Sequence, residues 1–272
     1  MSPGSGGLIR RNWRFIDTAI ALGAIAAAAL FFFPALVQSR QLAQMAQCQG
    51  NLQTVGKALA QYAQIGPGRG FYPSIPREGN HAVAGIYGVR LLEDGFLDSA
   101  KRLVCPSSRL AATGKPLVVP TSAELDAASG EPLREYQRTM GGSYGYALGF
   151  VNNGHYVPTQ SRGVRWNPIL ADAYDPYDGR PNSCNHGGCG QNVLFDNGVV
   201  GYMSNCRIVD STDEGDIDDE DIFRNARHEI AAGLGRFDFV LGESSSSPWT
   251  GQAAIQIPAF LRDPAPPRQR GR

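Results

Sequence analysis

The sequence predicts an α+β fold in which a long N-terminal membrane-spanning helix packs on a small antiparallel β-sheet. Three observations predict it: an uncharged run over 18–39, helical spacing of apolar residues over 42–62, and short strand-like segments over 71–205 punctuated by Gly, Pro and Asn. A helix with one apolar face buries that face well against such a sheet. The 272 residues are enough for one domain with appendages.

The uncharged run is 22 residues long, from Thr18 to Ser39, and predicts a membrane span. At about 1.5 Å per residue it reaches about 33 Å, enough to cross a hydrocarbon core of about 30 Å. A cleaved secretory signal is the alternative, although its apolar core would be only about 7–15 residues long. Arg10, Arg11 and Arg14 precede the run, which predicts a cytoplasmic N-terminus and an extracytoplasmic remainder.

The helical spacing continues beyond the span and stops at Gly66-Pro67-Gly68, a typical helix end. It predicts one helix from about Arg14 to Ile65, with a break or kink at Pro34. The apolar face of its second half comprises Leu42, Met45, Cys48, Leu52, Val55, Leu59 and Tyr62. The predicted organisation is a basic cytoplasmic segment 1–14, a transmembrane helix 15–37, an amphipathic extension 38–65, an extracytoplasmic domain 66–262 and a flexible tail 263–272.

The overall charge excludes some function classes. Lys and Arg number 25 and so do Asp and Glu, so the chain lacks the excess of basic residues that a nucleic-acid-binding protein needs. The four histidines (His81, His155, His186 and His228) are far apart in sequence, and no phosphate-binding glycine-rich loop is present. The sequence therefore predicts a protein that is not an enzyme and has no nucleic-acid partner.

Short motifs follow one another in a fixed order through most of residues 10–205. Together they resemble the pilin-like proteins that have a prepilin-type N-terminus and a C-terminal H-X9-DG segment, as in type II secretion and type IV pilus systems. The motifs are Cys48-Gln49-Gly50-Asn51-Leu52 continuing to Tyr62, Phe71-Tyr72-Pro73, Cys105-Pro106-Ser107, Ser143-Tyr144-Gly145-Tyr146 and Trp166-Asn167-Pro168-Ile169-Leu170-Ala171-Asp172.

The resemblance implies a membrane-anchored structural or interaction protein. Its partners would be the bilayer and other pilin-like subunits or secretion components. Two other functions stay open: a stand-alone extracytoplasmic binding module on a single anchor, with calcium as a possible ligand, and a metal-dependent hydrolase centred on His186.

Three departures from the family pattern lie at the N-terminus. Asn12 stands where the family has its processing glycine, Trp13 where it has its first mature phenylalanine, and Asp17 where it has glutamate. Loss of the glycine predicts that prepilin peptidase does not process the chain. In the family the carboxylate meets the N-terminal amine of a neighbouring subunit; the alternative for Asp17 is an i, i+3 ion pair with Arg14.

The H-X9-DG segment is also degenerate. Nine residues separate His186 from Asp196, but Asn197 takes the next place and Gly198 comes one position late. Asn197-Gly198 aligns with the family's Asp-Gly if one extra residue follows the histidine. Because Asn-Gly favours a type I′ turn, the pair also predicts a β-hairpin.

The five cysteines allow two interpretations. Zinc prefers Cys and His ligands, and Cys184, His186, Cys189 and Cys206 would supply four. In an oxidising compartment a disulfide among the three cysteines of that set is favoured instead, with Cys48 and Cys105 as the other pair.

The segment from Asp210 to Asp221 contains eight acidic residues in twelve and has the spacing of an EF-hand loop. The spacing predicts a calcium site, whereas a solvated acidic loop is the alternative. The residues expected to bind calcium are Asp210, Glu214, Asp216, Asp218 and Asp221.

Overall fold

The structure is a computed structural model that describes residues 7–249, without the side chains of residues 7–14, 16, 28, 29 and 31. The chain divides into two compact units, Met1–Ala43 and Gln44–Arg272. Its long helix and antiparallel sheet confirm the predicted α+β class. The predicted domain limit at residue 262 and the tail 263–272 lie outside the described residues.

Helix α1 runs from Gly7 to Gln64, so it starts earlier than predicted and ends one residue before the predicted end. Pro34 lies inside the helix and does not end it. In the first unit the described apolar side chains are exposed, among them Leu30 at 76% and Phe33 at 69%. By its length and composition alone, the helix from Asp17 onward is able to cross a membrane.

The second unit adds short helices and strands. The helices are α2 (Ile86–Glu93), α3 (Arg109–Ala112), α4 (Ser122–Ala127) and α5 (Gly130–Thr139), with 3-10 helices at Ala100–Leu103 and Asn185–Gly188. The strands are β1 (Tyr144–Ala147), β2 (Phe150–Asn152), β3 (His155–Val157), β4 (Pro168–Asp172), β5 (Gln191–Phe195), β6 (Val200–Met203), β7 (Arg207–Thr212), β8 (Gly215–Asp221) and β9 (Leu241–Gly242).

The central sheet has the order β6-β5-β4-β1-β9, and its neighbours are antiparallel. The second half of α1 shares one hydrophobic core with this sheet. At Gly56 a Cβ atom would meet the Leu194 side chain at 2.9 Å, so glycine permits the close approach of helix and sheet. As the apolar spacing predicts, the helix buries Cys48, Leu52, Val55, Leu59 and Tyr62.

Leu42 corrects that prediction. It is 59% exposed, because the buried face of α1 begins at Cys48.

A second hydrophobic core lies around Trp166 and Phe239. The β7–β8 hairpin contributes Ile208 and Ile217 to it.

The predicted hairpin at Asn197-Gly198 forms between β5 and β6. Its turn differs from type I′, which needs positive φ at both central residues. Gly198 has a φ of 82°, whereas Asn197 is absent from the positive-φ residues of the described chain. The Gly198 N–H donates to the Phe195 carbonyl, so the turn spans residues 195–198 and Gly198 supplies the left-handed conformation.

Candidate metal centre

Four potential metal ligands from four distant segments meet inside the second unit. They are Cys48, Cys105, Asp172 and His186, called the buried cluster below, and their ligand atoms all lie within 4.8 Å of one another. The residues Cys48, Cys105 and Asp172 are 0% exposed, and the His186 side chain is 4% exposed. The cluster is thus almost closed to solvent.

Local structure fixes the two cysteines. Cys48 lies on the buried face of α1. Cys105 follows the 3-10 helix at Ala100–Leu103, and its N–H donates to Ser143 Oγ at 2.7 Å. Asn51 of α1 donates to the Val104 carbonyl at 3.0 Å, which ties the Cys105 segment to the helix.

His186 reaches the cluster through an unusual backbone conformation. Its φ and ψ are 55° and 30°, and Gly187 and Gly188 that follow also have positive φ. A non-glycine residue in the left-handed region is uncommon and persists only where the surroundings hold it. The imidazole Nε2 lies 3.1 Å from Asn192 Nδ2, 3.3 Å from Cys105 Sγ and 3.4 Å from Asp172 Oδ2.

Asp172 is the centre of the hydrogen bonding. Its Oδ2 accepts from the Asn192 N–H at 2.8 Å and from Asn192 Nδ2 at 3.0 Å. Its Oδ1 accepts from Asn185 Nδ2 at 3.0 Å and from the Cys48 thiol at 3.2 Å. A fully buried carboxylate is tolerated when it is hydrogen-bonded in this way.

Asp172 and His186 each stabilise the charged form of the other. Burial alone would raise the pKa of Asp172, but hydrogen bonding and charge from His186 outweigh it and lower the pKa. Burial lowers the pKa of His186, yet hydrogen bonds to Asp172 and Cys48 raise it to about 9. The hydrogen bond to Cys105, together with burial, raises the pKa of Cys48. These shifts favour an imidazolium and a carboxylate beside a neutral Cys48 thiol near pH 7.

The structure does not bring together the zinc ligands that the sequence offered as the alternative to a disulfide. Of that set only His186 is part of the buried cluster; Cys184, Cys189 and Cys206 are not. Cys189 is exposed, and Cys206 packs in the second hydrophobic core. The prediction grouped residues by closeness in sequence, whereas the fold turns the His186 ring toward α1 and β4.

The five cysteines are free thiols in the structure. The sulfurs of Cys48 and Cys105 nevertheless lie within 4.8 Å of each other, so the two residues predicted to pair are neighbours in the structure. Disulfide formation at this pair, and among Cys184, Cys189 and Cys206, stays a prediction.

The acidic segment forms the β7–β8 hairpin and not an EF-hand-like loop. Strand geometry spreads its side chains along two strands and over two faces. Glu214 contacts Arg162 and Arg236, and Asp210 contacts Arg165 at 3.1 Å. In the described part of the chain, the His, Cys, Asp and Glu side chains that come close enough together to hold one ion are those of the buried cluster.

Calcium binding by Asp210, Glu214, Asp216, Asp218 and Asp221 stays a prediction of the sequence. The hairpin gives it no preformed site, because the described carboxylates do not gather around one point. A calcium titration followed by the melting temperature tests it.

The H-X9-DG residues have separate structural positions. His186 belongs to the buried cluster, while Asp196 accepts hydrogen bonds from the Tyr72 hydroxyl and from the N–H groups of Arg162 and Val164. Asn197 Oδ1 accepts from the Val199 N–H at 3.1 Å, and Gly198 completes the turn. The aspartate therefore holds a loop in place, and it takes no part in the cluster.

The N-terminal residues give less information. Asp17 lies on α1 in the first unit and is exposed. The side chains of Asn12 and Trp13, and that of Arg14, the proposed partner of Asp17, lie outside the described part of the structure.

The sequence did not identify Asp172 as a potential metal ligand. It also did not show that Cys48 and Cys105, the predicted disulfide pair, lie next to His186. One signal was present: Asp172 ends the apolar strand Pro168–Asp172, whose five residues are all buried. A carboxylate in such a strand must have partners, because an unpaired buried charge is very costly.

No protein-family model matches the chain, and neither the curated proteins nor the solved structures include a significant match.

Proposed function

We propose that the protein is a membrane-anchored, pilin-like structural or interaction protein whose N-terminus is cytoplasmic and whose second unit is extracytoplasmic. The observation that carries the proposal is the difference in burial between the two halves of α1. Its first half exposes large apolar side chains, and its second half buries its apolar face in the core of the second unit. An exposed apolar surface of this size needs a bilayer or other helices to cover it.

The positions of the motif residues support the same proposal. The side chains of Cys48, Tyr144, Asp172 and His186, which belong to separate motifs, contact one another in the interior. Residues used to build an interior are unavailable to a substrate. The proposed activity is therefore assembly or binding, with no catalysis.

A metal-dependent hydrolase around His186 would need an acid nearby, and Asp172 is one. A catalytic zinc site, however, keeps one position open for water or substrate. In the buried cluster four protein ligands surround one point that is closed to solvent, an arrangement that suits a structural role.

A single-anchor binding module is the second candidate, favoured by one cavity. It has a volume of about 440 Å³, within the usual range for ligand sites, and is lined by Arg162, Trp166, Arg236 and Asp238 among others. Cross-linking in cells separates the two candidates: a pilin-like subunit cross-links to copies of itself or to other pilin-like chains through α1, and a lone module does not.

Membrane extraction tests the anchor. The double change Leu30→Arg and Phe33→Arg places two charges in the predicted span, each costing about 2.5–3.5 kcal/mol on insertion scales. We expect the variant to leave the carbonate-resistant membrane fraction. The matched control, Leu42→Arg with Ala43→Arg, adds the same charge beyond the predicted span and should stay there. Equal membrane retention of both variants contradicts the anchor.

Intact mass of the membrane-extracted chain tests processing. We expect a chain that retains the segment before Trp13, because Asn12 replaces the family's glycine. Asn12→Gly should restore cleavage in a host that has prepilin peptidase. A wild-type chain that begins at Trp13 would show the prediction to be wrong. Protease added to spheroplasts should digest the second unit, and protection of that unit while the cytoplasmic membrane is intact contradicts the proposed orientation.

A further inference from the structure

We propose that the buried cluster binds one zinc ion, or a divalent cation with the same preference for sulfur and nitrogen, in a closed tetrahedral site. The site would fix the second half of α1 in the domain. This inference rests on the geometry of the second unit, in which Cys48 and Cys105 are free thiols. It is an alternative to the Cys48–Cys105 disulfide predicted from the sequence, and the two exclude each other.

The distances fit a tetrahedron. With Zn–S bonds of about 2.3 Å and Zn–N or Zn–O bonds of about 2.0 Å, tetrahedral ligands lie about 3.3–3.8 Å apart. The Cys105 sulfur is 3.3 Å from His186 Nε2, and that nitrogen is 3.4 Å from Asp172 Oδ2. The Cys48 sulfur is 3.2 Å from Oδ1, the other oxygen of Asp172, and the four ligand atoms all lie within 4.8 Å of one another. Small adjustments therefore suffice to place a cation between them.

The donor set selects the cation. Two sulfurs, one imidazole nitrogen and one carboxylate oxygen are ligand types that zinc accepts. Calcium and magnesium prefer oxygen ligands and higher coordination numbers, so neither fits a site that is half sulfur. The inference thus differs both from the calcium prediction for the acidic hairpin and from the zinc ligands predicted by sequence.

The surroundings suit a negatively charged complex. A zinc ion with two thiolates, one carboxylate and a neutral imidazole has a formal charge of −1. The side chains of Asn185 and Asn192 and the Asn192 N–H donate to Asp172, and the Tyr144 hydroxyl lies 3.5 Å from the Cys48 sulfur. Such outer hydrogen bonds orient ligands and stabilise the bound metal.

Protons leave when the cation binds. The thiols of Cys48 and Cys105 each release one proton to solvent, and the proton on His186 Nε2 leaves so that this nitrogen can donate its lone pair. No oxidation state changes.

The site would cross-link parts of the chain that are far apart in sequence. Cys48 and Asp172 are 124 residues apart, and Cys105 and His186 are 81 apart. A cation that binds the folded chain and not the unfolded one stabilises the fold by mass action.

The test uses the full chain, purified in detergent under reducing conditions. We expect about one zinc per chain by elemental mass spectrometry. Removing it with a chelator should lower the melting temperature, and zinc, but not magnesium, should restore it. Cobalt added to the chelated protein should give tetrahedral visible bands and a thiolate-to-cobalt charge-transfer band, which reports sulfur ligands even if every ligand variant fails to fold.

Variants localise the site. Cys105→Ser should lose the zinc and the charge-transfer band, whereas Cys206→Ser, which changes another buried cysteine outside the cluster, should keep both. Three results would overturn the proposal: a wild-type chain that binds neither metal, a cobalt spectrum without thiolate bands, or a Cys48–Cys105 disulfide in the non-reduced protein isolated from cells.

Discussion

The buried cluster and the acidic hairpin both contain potential metal ligands but arrange them in opposite ways. The cluster gathers four side chains from α1, the Cys105 segment, β4 and the 3-10 helix at Asn185–Gly188. The hairpin has eight acids in twelve consecutive residues, yet its strands spread them apart. Closeness in sequence is therefore a poor guide to a binding site, and burial of a polar side chain is a better one.

The largest expected effect is at Asp172. Asp172→Ala leaves His186 and the amides of Asn185 and Asn192 without their buried acceptor, and breaking a buried ion pair typically costs about 3–5 kcal/mol. We expect the detergent-purified variant to be largely unfolded by circular dichroism, or to melt at least 6 °C below wild type, since about 1 kcal/mol shifts a domain of this size by about 2–4 °C.

The matched change in the hairpin is Asp218→Ala. Asp218 is exposed, and surface changes of this kind usually stay within about 0.5 kcal/mol. Equal destabilisation by the two changes would mean that the contrast between the two regions is wrong.

The next effect concerns the helix that carries Cys48. Leu52→Ala empties a fully buried site next to the cluster and should cost about 2–5 kcal/mol. Leu42→Ala, at an exposed position of the same helix, is the control and should leave the melting temperature unchanged. An unchanged melting temperature for Leu52→Ala would refute the packing of α1 on the sheet.

The smallest effect lies in the hairpin. Burial and a hydrogen bond with Asp238 raise the pKa of Glu220 to about 8. The folded chain binds the proton on Glu220 more tightly than the unfolded chain does. The protonated carboxyl group therefore contributes fully to the free energy of unfolding below about pH 4.5, and this contribution is lost as the pH rises through 8.

Glu220→Gln removes that titration. Because Glu220 is only partly buried, solvent screening reduces the expected effect to about 1 kcal/mol. We expect the variant to melt about 2–4 °C above wild type at pH 9 and close to wild type at pH 4. Asp219→Asn, at the exposed neighbouring position, is the control. A difference that is the same at both pH values would show that Glu220 does not titrate as described.

Local patterns predicted much of the fold. Apolar spacing identified α1 and four of its buried side chains beyond Cys48, because helix periodicity is local. Gly198 identified the β5–β6 hairpin, but the turn type was wrong, since Asn197 keeps the more common negative φ. Leu42 was assigned to the buried face because periodicity cannot say where along a helix the packing begins.

The candidate site was only partly predictable. His186 was singled out as a ligand and Cys48 with Cys105 as a pair, and the fold brings all three together with Asp172. Their meeting depends on tertiary contacts across segments up to 124 residues apart, which no local pattern encodes. The ligands nearest His186 in sequence, Cys184 and Cys189, were wrong because the left-handed turn at His186 directs its ring elsewhere.

X-ray absorption at the zinc edge of the purified full chain tests the central claim most directly, because it reports the atoms bound to the metal. The buried cluster predicts two sulfur ligands at about 2.3 Å and two nitrogen or oxygen ligands at about 2.0–2.1 Å. A shell of nitrogen and oxygen alone, or of three or more sulfurs, would contradict it, as would a chain that takes up no zinc when zinc is supplied.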